Sequence, residues 1–309
     1  MKNIFIIGAN GYIGKNIIKF LIKQKLLKIF VFTRNLDLLP DYVHKKCIIY
    51  KIDLCDLDSL NINVPSESIL INLAYIKSSR IKNKKAMNNL VNFINKKKFN
   101  KVIHLSSSAI YGSKRSGYIN ESSIPLPNSH YEKIKYDSEL IIRSTIDKNI
   151  KLIILRPTEV FGFNSFSGPY IILRKLLNNN IIINRLLNSI LYHRKTNFLA
   201  IENLFKVLYF FIFMDVKFNQ NTFIVSSDDD IDNNYFKIYS IISDRLNGNN
   251  KILFMNLILP KFFLIILLKL FNRTPIDRFY DNSKLLKFTK IKFTSLKESI
   301  NKIINYENS

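Results

Sequence analysis

The chain alternates between short apolar runs and longer stretches in which apolar and polar residues are mixed. The runs predict strands, and their nearly continuous apolar character is typical of strands covered on both faces. The five runs of the N-terminal half are Ile4–Ile7, Lys28–Phe32, Cys47–Ile52, Ser68–Ala74 and Lys101–Leu105. The stretches Lys15–Ile22 and Lys84–Lys98 between them predict helices. Strands that alternate with helices at this spacing predict an α/β fold with a doubly wound parallel sheet and a ligand at the carboxyl ends of its strands.

Three glycines follow the first strand at a spacing of three, namely Gly8, Gly11 and Gly14. The first glycine of such a turn permits a tight bend, the second lets a pyrophosphate approach the backbone, and the third lets the helix pack closely on the strand. An ordinary turn with incidental glycines is the alternative. The chain has only eight glycines in all, so three at this spacing favour a Rossmann-type dinucleotide site.

The end of the second strand bears on the choice of dinucleotide. An acidic residue there would bind the ribose 2′-hydroxyl of NAD, whereas an arginine suits the 2′-phosphate of NADP. The sequence has Thr33-Arg34-Asn35 at this point and no acid. Arg34 therefore favours NADP(H), with NAD(H) possible if Arg34 is only a surface residue. Asp53, after the third strand, either accepts from an adenine amino group or opens a turn.

Serines end the fifth strand, and a later predicted helix carries a tyrosine and a lysine four residues apart, Tyr131 and Lys135. Residues i and i+4 share one face of a helix. An unperturbed phenol has a pKa of about 10. A nearby ammonium favours the phenolate, so we expect Lys135 to lower the pKa of Tyr131. Lys135 could also donate to ribose hydroxyls of the nicotinamide half, and Ser107 to the substrate oxygen. The order of the glycine loop, serines and helix is more informative than any single motif.

This ordered set resembles the extended short-chain dehydrogenase/reductase family, which includes sugar-nucleotide epimerases, dehydratases and reductases. The resemblance covers most of the chain. Its motifs are Gly8-x-x-Gly11-x-x-Gly14, Asp53-Leu54, Asn72-Leu73-Ala74, Ser106–Gly112, Tyr131-x-x-x-Lys135, Leu155–Gly162 and Asp281–Lys284.

The resemblance implies a role for each matching residue. Tyr131 is implied to be the general acid/base, Lys135 its partner, and Ser107 the hydroxyl that orients the substrate. Beyond the glycines, Arg34 and the Tyr–Lys pair, implied cofactor contacts are Tyr12, Ile13, Asp53, Leu54, Leu73, Ala74 and Pro157. Implied substrate contacts are Ser108, Tyr111, Thr158, Arg194 and Arg273. Dehydratases carry an acidic pair where this chain has Ser108 and Ala109, which argues against dehydration.

Two departures from the family pattern concern the catalytic helix and the substrate diphosphate. Within the Tyr-x-x-x-Lys motif this chain has Glu132 and Ile134, where many members have a small residue and a serine. Many members carry an arginine at the position of Thr196. Arg194 or Lys195 could replace it, or the diphosphate could be held by Arg273 or Arg278.

The C-terminal half predicts a second, smaller lobe. We expect Asn197–Glu202 to return as a strand to the main sheet, with a helix over Asn203–Met214 and a strand over Phe223–Ser226. The Asp228–Asp230 run predicts a solvated turn. Pro260, the Phe262–Leu268 run, Asp281–Lys284 and a helix over Ser295–Tyr306 resemble the bacterial UDP-sugar 4-epimerase/4-ketoreductase branch. We therefore predict a dinucleotide-binding domain over 1–165 to which 192–226 returns, and a substrate-capping lobe over 166–191 and 227–309.

Composition and charge bear on the binding partners and the cellular location of the protein more than on its reaction. The net charge of +24 could suggest nucleic acid, but the lysines are spread along all 309 residues and no basic strip carries interleaved aromatics. Two cysteines without a CxxC spacing, and an N-terminal apolar run of only Ile4–Ile7, predict a reducing cytoplasm. The four histidines have no metal-ligand spacing. The runs Leu208–Met214 and Phe262–Leu268 are too short to span a membrane and favour buried helices over interfacial anchors.

These observations lead to one expected function and two alternatives. The leading expectation is an NADP(H)-dependent reductase acting at C4 of a UDP-linked sugar in surface polysaccharide synthesis. The alternatives are an NAD-dependent UDP-sugar 4-epimerase and a non-catalytic NADP-binding regulator. The resemblance further implies a homodimer through the helices around Lys84–Lys98 and Tyr131–Ser144.

Overall fold

The computed structural model describes residues 1–97, 99–178, 195–247, 266 and 277–307. The N-terminal elements are β1 (Lys2–Ile7), α1 (Tyr12–Leu21), β2 (Leu27–Thr33), α2 (Asp41–Lys46), β3 (Ile48–Lys51), β4 (Ile69–Asn72), α3 (Arg80–Lys97), β5 (Lys101–Leu105), β6 (Gly117–Ile119), α4 (His130–Thr145) and β7 (Lys151–Pro157). They are followed by β8 (Glu159–Phe161), α5 (Pro169–Asn178), β9 (Phe198–Ala200), α6 (Ile201–Phe213), β10 (Gln220–Val225), α7 (Tyr235–Asn247), β11 (Arg278–Tyr280), α8 (Ser283–Thr289) and α9 (Leu296–Glu307).

A seven-stranded sheet with the order β10-β7-β5-β4-β1-β2-β3 forms the centre of the fold. The neighbouring pairs from β3 to β7 are parallel. The strand order reverses direction at β1 and β4, where a doubly wound sheet opens its binding crevice. The predicted Rossmann-type α/β fold is confirmed.

Apolar side chains on both faces explain why these segments form internal strands. Phe5 of β1 stacks on Phe30 of β2 with ring centroids 4.3 Å apart, and Phe99 meets Phe5 edge-on. The helices α3 and α4 cover one face, where Leu90 and Ile142 are fully buried. Burial of this kind contributes about 25 cal/mol per Å² of apolar surface, so the sheet fixes the positions of the loops at its carboxyl edge.

One strand expected in the main sheet lies elsewhere. The segment predicted as Asn197–Glu202 forms β9, but β9 pairs in parallel with β8 in a separate two-stranded sheet. The strand that completes the main sheet is β10 instead. A short apolar run specifies a buried strand but not its partner, so this expectation was wrong in its pairing and correct in its element type.

The Asp228–Asp230 run is also not the solvated turn that we expected. The carboxylate of Asp228 accepts from the backbone N–H of Tyr280 at 2.8 Å and from Asn197 Nδ2 at 2.6 Å. Asp230 accepts from the N–H of Leu296 at 2.7 Å, at the start of α9. Two of the three acids therefore satisfy backbone donors that would otherwise be unpaired.

Internal contacts divide the chain into two compact units. The first comprises Met1–Ser113, Ser123–Arg156 and Phe205–Phe223, and the second Lys114–Ser122, Pro157–Leu204 and Ile224–Ser309. The domain division expected from the sequence stays a prediction. In the described part of the chain, no helix is long and apolar enough to cross a membrane. Leu208, Phe211 and Ile212 of α6 are buried, as expected, whereas the Phe262–Leu268 run lies outside the described residues except for Ile266.

Candidate active site

In the glycine loop between β1 and α1, two of the three glycines, Gly8 and Gly14, leave no space for a side chain. Gly8 has a φ of +88°, and a Cβ there would lie 2.8 Å from the backbone N of Ala74. A Cβ on Gly14 would lie 2.2 Å from the carbonyl oxygen of Gly8. Gly11 precedes Tyr12, where α1 begins without an acidic residue in its first turn. Free N–H groups and the positive end of the helix dipole are thus available to a pyrophosphate, and the residues present fit a dinucleotide.

The loop is tied to the end of β2 by a residue that we did not predict. Asn10 Nδ2 donates to Thr33 Oγ1 at 2.8 Å and to the carbonyl of Asn35 at 3.2 Å. Asn10 Oδ1 is buried and has no partner among the described residues. Arg34 lies between these contacts and is exposed, with no hydrogen bond or ion pair to any described residue. An asparagine inside the glycine motif was the available signal, because its side-chain amide can bond to the neighbouring strand end.

Asp53 and Leu54 lie past the end of β3, near the same edge of the sheet. Asp53 Oδ1 accepts from the N–H of Cys55 at 2.9 Å, and the carbonyl of Leu54 accepts from Asn89 Nδ2 at 2.9 Å. Asp53 therefore opens a turn, as one of its two expected roles, and its exposed carboxylate keeps capacity for a second donor. Leu73 and Ala74 follow β4 and abut the glycine loop, since the N–H of Leu73 donates to the carbonyl of Ile7 at 2.9 Å.

Ser107, Tyr131 and Lys135 lie together, as the spacing predicted. A capping box between Ser129 and Glu132 begins α4 and sets the position of Tyr131 in its first turn. The hydroxyl of Ser107 lies close enough to Tyr131 to favour its ionised form and so to lower its pKa. The buried Nζ of Lys135 donates to the carbonyl of Leu105 at 2.6 Å, at the end of β5. Strand end and helix therefore converge on one cluster, whose catalytic roles stay a prediction.

The protonation of this cluster differs from the expectation. Burial raises the pKa of Tyr131, and the nearby Ser107 hydroxyl only partly opposes that shift. Burial likewise lowers the pKa of Lys135 to about 8, against the opposing effect of the Glu139 carboxylate. Lys135 donates to the carbonyl of Leu105, and burial is the largest influence on the pKa of Tyr131. At neutral pH the phenol of Tyr131 is therefore protonated.

A buried polar network lies beneath the cluster and was missed by the sequence reasoning. Glu139 is 1% exposed, and its carboxylate accepts from Ser106 Oγ at 2.8 Å and from Arg156 Nε at 3.1 Å. A second contact joins Arg156 Nη2 to Glu139, and Arg143 Nη2 adds another at 3.0 Å. These donors hold the pKa of Glu139 below its ordinary value although burial opposes them. Glu139 follows Lys135 by four residues, and that spacing was the available signal.

His104 is a neutral neighbour of this network. Asn72 Oδ1 accepts from the N–H of Ala74 at 3.1 Å, which turns Asn72 Nδ2 towards His104 Nδ1 at 3.1 Å. Burial, with the Lys135 ammonium, lowers the pKa of His104 to about 3. Its proton is therefore assigned to Nε2, and His104 cannot serve as a cationic group near neutral pH. Within the described residues, no cluster of three histidine, cysteine, aspartate or glutamate side chains could hold a metal.

The remaining predicted contacts fall into three groups. Ser108 and Tyr111 occupy the short turn after Ser107, where Tyr111 is fully buried and its hydroxyl accepts from Arg156 Nη1 at 2.6 Å. In the second unit, Pro157 ends β7 and Thr158 is buried, with its N–H donating to the carbonyl of Val225 at 3.0 Å. Arg194 and Arg273 lie outside the described residues. Their contacts with substrate, and that of Ile13 with cofactor, stay predictions.

The alternatives for the diphosphate position can be partly located. Thr196 is buried and donates from Oγ1 to Asn233 Oδ1 at 2.7 Å. Lys195 pairs with Asp277 at 3.4 Å, an exposed contact. Arg278 Nη1 donates to the hydroxyl of Tyr280 at 3.2 Å, and its buried Nε has no partner among the described residues.

A glycine cradle beside a Ser–Tyr–Lys cluster on a doubly wound sheet defines a dinucleotide-dependent enzyme of the short-chain dehydrogenase/reductase type. A family model described as the NAD dependent epimerase/dehydratase family matches residues 4–182. The chain belongs to this NAD dependent epimerase/dehydratase family, and the expectation of a dinucleotide-dependent enzyme is confirmed. No protein of curated function matches the sequence significantly.

Solved structures show the same fold over the whole chain. UDP-N-acetylglucosamine 4-epimerase from Bacillus cereus has a TM-score of 0.69 at 19% identity, covering 100% of both chains. UDP-glucuronic acid 4-epimerase from Bacillus cereus in complex with NAD has a TM-score of 0.70 at 16% identity, over 99% of this chain and 100% of that one. The Bordetella bronchiseptica enzyme WbmG in complex with NAD and UDP has a TM-score of 0.73 at 14% identity, over 99% of this chain and 93% of that one. At these identities the similarity shows the fold alone.

Proposed function

We propose that this protein is an NAD-dependent 4-epimerase of a UDP-linked sugar. The observation that carries the proposal is the grouping of Ser107, Tyr131 and a buried Lys135 at the strand ends that also carry a closely packed glycine loop. The names of the structural neighbours support a UDP-sugar and NAD. They favour this alternative over the NADP(H)-dependent reductase that we expected first.

The protein's own groups would move one proton. A bound NAD would supply reversible hydride transfer at C4 of the sugar. Tyr131 Oη takes the proton of the C4 hydroxyl and later returns it, while Ser107 holds the phenol and the sugar oxygen in line. The free N–H bonds of Lys135 remain for the ribose hydroxyls, since only one is used at Leu105. Because Tyr131 must first lose its own proton, the epimerisation rate should rise with pH.

The NADP(H)-dependent 4-keto reductase remains the second candidate, and Arg34 is the observation that favours it. An exposed guanidinium without a partner among the described residues suits a ribose 2′-phosphate. A protonated Tyr131 would be ready to donate, so the rate of reduction should fall as the pH rises through the pKa of Tyr131. The sign of the pH dependence therefore separates the two candidates.

The test is a matched set of assays on the purified full chain. UDP-glucose, UDP-N-acetylglucosamine and UDP-glucuronic acid are each incubated with NAD or NADP, and the products are separated by chromatography. We expect one C4-inverted product without net redox, loss of activity in Tyr131→Phe, and wild-type activity in Tyr136→Phe, a matched change on the same helix. Consumption of NADPH by 4-keto sugar nucleotides, with no epimer formed, would establish the reductase instead.

We further propose a cellular location, a biological role and an oligomeric state. Free Cys47 and Cys55 support a reducing cytoplasm. A surface-polysaccharide role is proposed because UDP-sugars feed such synthesis. Helices α3 and α4 pack together and leave Ile81 and Leu140 exposed, which supports the proposed homodimer; sedimentation equilibrium tests it.

A further inference from the structure

Tyr75 lies in the loop that follows β4, directly after Leu73 and Ala74. The family resemblance gives this residue no role. Its ring meets the ring of Tyr131 edge-on, with centroids 5.5 Å apart and an interplanar angle of 72°. The Nζ of Lys135 lies 5.3 Å from the centroid of the same ring. One aromatic side chain therefore contacts both groups on which proton transfer depends.

The two contacts have complementary effects. An edge-to-face pair of aromatic rings restrains both rings, and an ammonium over a ring face is attracted by its quadrupole. Tyr131 is then restrained at its ring by Tyr75, while Ser107 lies near its hydroxyl. Tyr75 is 40% exposed, so it forms part of the wall of the cluster and is not a core residue that merely supports the fold.

We propose that Tyr75 is a positioning residue, whose ring holds Tyr131 and Lys135 in their reactive arrangement and covers part of the Tyr131 side chain, which is 38% exposed. The kinetic part of this inference rests on the proposed function. The geometric part does not, because both contacts are made between the protein's own side chains.

The titration of Tyr131 supports this role. Burial raises the pKa of Tyr131, and a charge on Tyr75 raises it further. The other ionisable groups that act on the pair are Glu139 on the same helix and His104 on β5, both through Lys135. Removing the Tyr75 ring would admit water to Tyr131, so its pKa should fall towards the ordinary value of about 10.

The kinetic test compares Tyr75→Phe, which keeps the ring, with Tyr75→Ala, which removes it. We expect kcat to fall about tenfold in Tyr75→Ala, with KM within about twofold, and to remain within about twofold in Tyr75→Phe. Tyr209→Ala is the matched control, because Tyr209 is 37% exposed and contacts Phe20 on a different helix. If Tyr75→Ala fails to fold, Tyr75→Leu removes the ring and keeps most of its volume.

A second readout needs no substrate. Tyrosine labelled with ¹³C at the phenolic carbon reports ionisation by NMR, and the Tyr131 signal is assigned from Tyr131→Phe. We expect the pKa of Tyr131 to fall in Tyr75→Ala and to stay raised in Tyr75→Phe. If wild type is inactive on every UDP-sugar but this pattern holds, the proposed function fails and the positioning role stands. An unchanged pKa in Tyr75→Ala, or equal losses in the Phe and Ala variants, overturns the role.

Discussion

The buried pair Glu139–Arg156 allows the energetic importance of the network beneath the candidate site to be measured. Glu139 is 1% and Arg156 5% exposed, and two N–H groups of Arg156 donate to one carboxylate. Breaking a buried pair by removing one partner leaves the other charge uncompensated, at about 3–5 kcal/mol. We therefore expect Glu139→Gln and Arg156→Met each to lower the free energy of unfolding by about that amount.

The double variant is the informative member of the cycle. With both charges removed, neither member of this pair is left as a buried unpaired charge, so the loss should be smaller than the sum of the single losses by about 2–3 kcal/mol. Urea denaturation followed by circular dichroism gives all four free energies. The half-exposed pair Glu202–Lys302, at 3.0 Å, is the control, and its coupling should remain below about 1 kcal/mol. Additive losses at Glu139 and Arg156 would show that the two charges do not stabilise each other as a buried pair.

Three further predictions follow from burial and close packing. The pKa of Lys135 falls from 10.5 to about 8 in the folded protein, so the free energy of unfolding should rise between pH 8 and pH 10.5. Lys135→Met should abolish this rise, remove activity and raise the free energy of unfolding by roughly 3 kcal/mol at pH 7. Urea denaturation at pH 7 and pH 10 would measure both effects on stability. Burial raises the pKa of Asp228 from 3.8 to about 6, so the free energy of unfolding should fall as the pH rises from about 4 to 6. Asp228→Asn should therefore raise the free energy of unfolding by up to roughly 3 kcal/mol at pH 7.5 and change it little at pH 4. The variant Asp229→Asn, at an exposed position, is the control. Gly14→Ala places a Cβ 2.2 Å from the carbonyl of Gly8 and should cost about 1–3 kcal/mol and weaken NADH binding, measured by fluorescence titration; unchanged binding would contradict the close packing of the cradle.

The sequence was sufficient to predict the features that depend on local pattern. Apolar runs located β1 to β5, and the spacing of Tyr131 and Lys135 placed both residues on one face of α4, because period and spacing are properties of neighbouring residues. The prediction that Lys135 would lower the pKa of Tyr131 was wrong, since burial depends on the whole fold.

Features that depend on distant partners could not be predicted in the same way. The strand β9 was identified, but its pairing with β8 depends on tertiary packing. Asp228 looked like part of a solvated turn because three acids in a row are usually exposed, yet its partner Tyr280 is 52 residues away. Tyr75 gave no signal, because an aromatic residue after a strand is ordinary until its contact with Tyr131 is known.

As a 4-epimerase, the protein would remove a hydride from a sugar carbon beside Tyr131 and return it to the same carbon. The most direct test of this reaction uses UDP-glucose and UDP-N-acetylglucosamine deuterated at C4, incubated with the protein and NAD and analysed by NMR and mass spectrometry. We expect a product inverted at C4 that keeps its deuterium, and no product in Tyr131→Phe. Deuterium released into the medium as a labelled reduced dinucleotide, without inversion, would contradict this expectation.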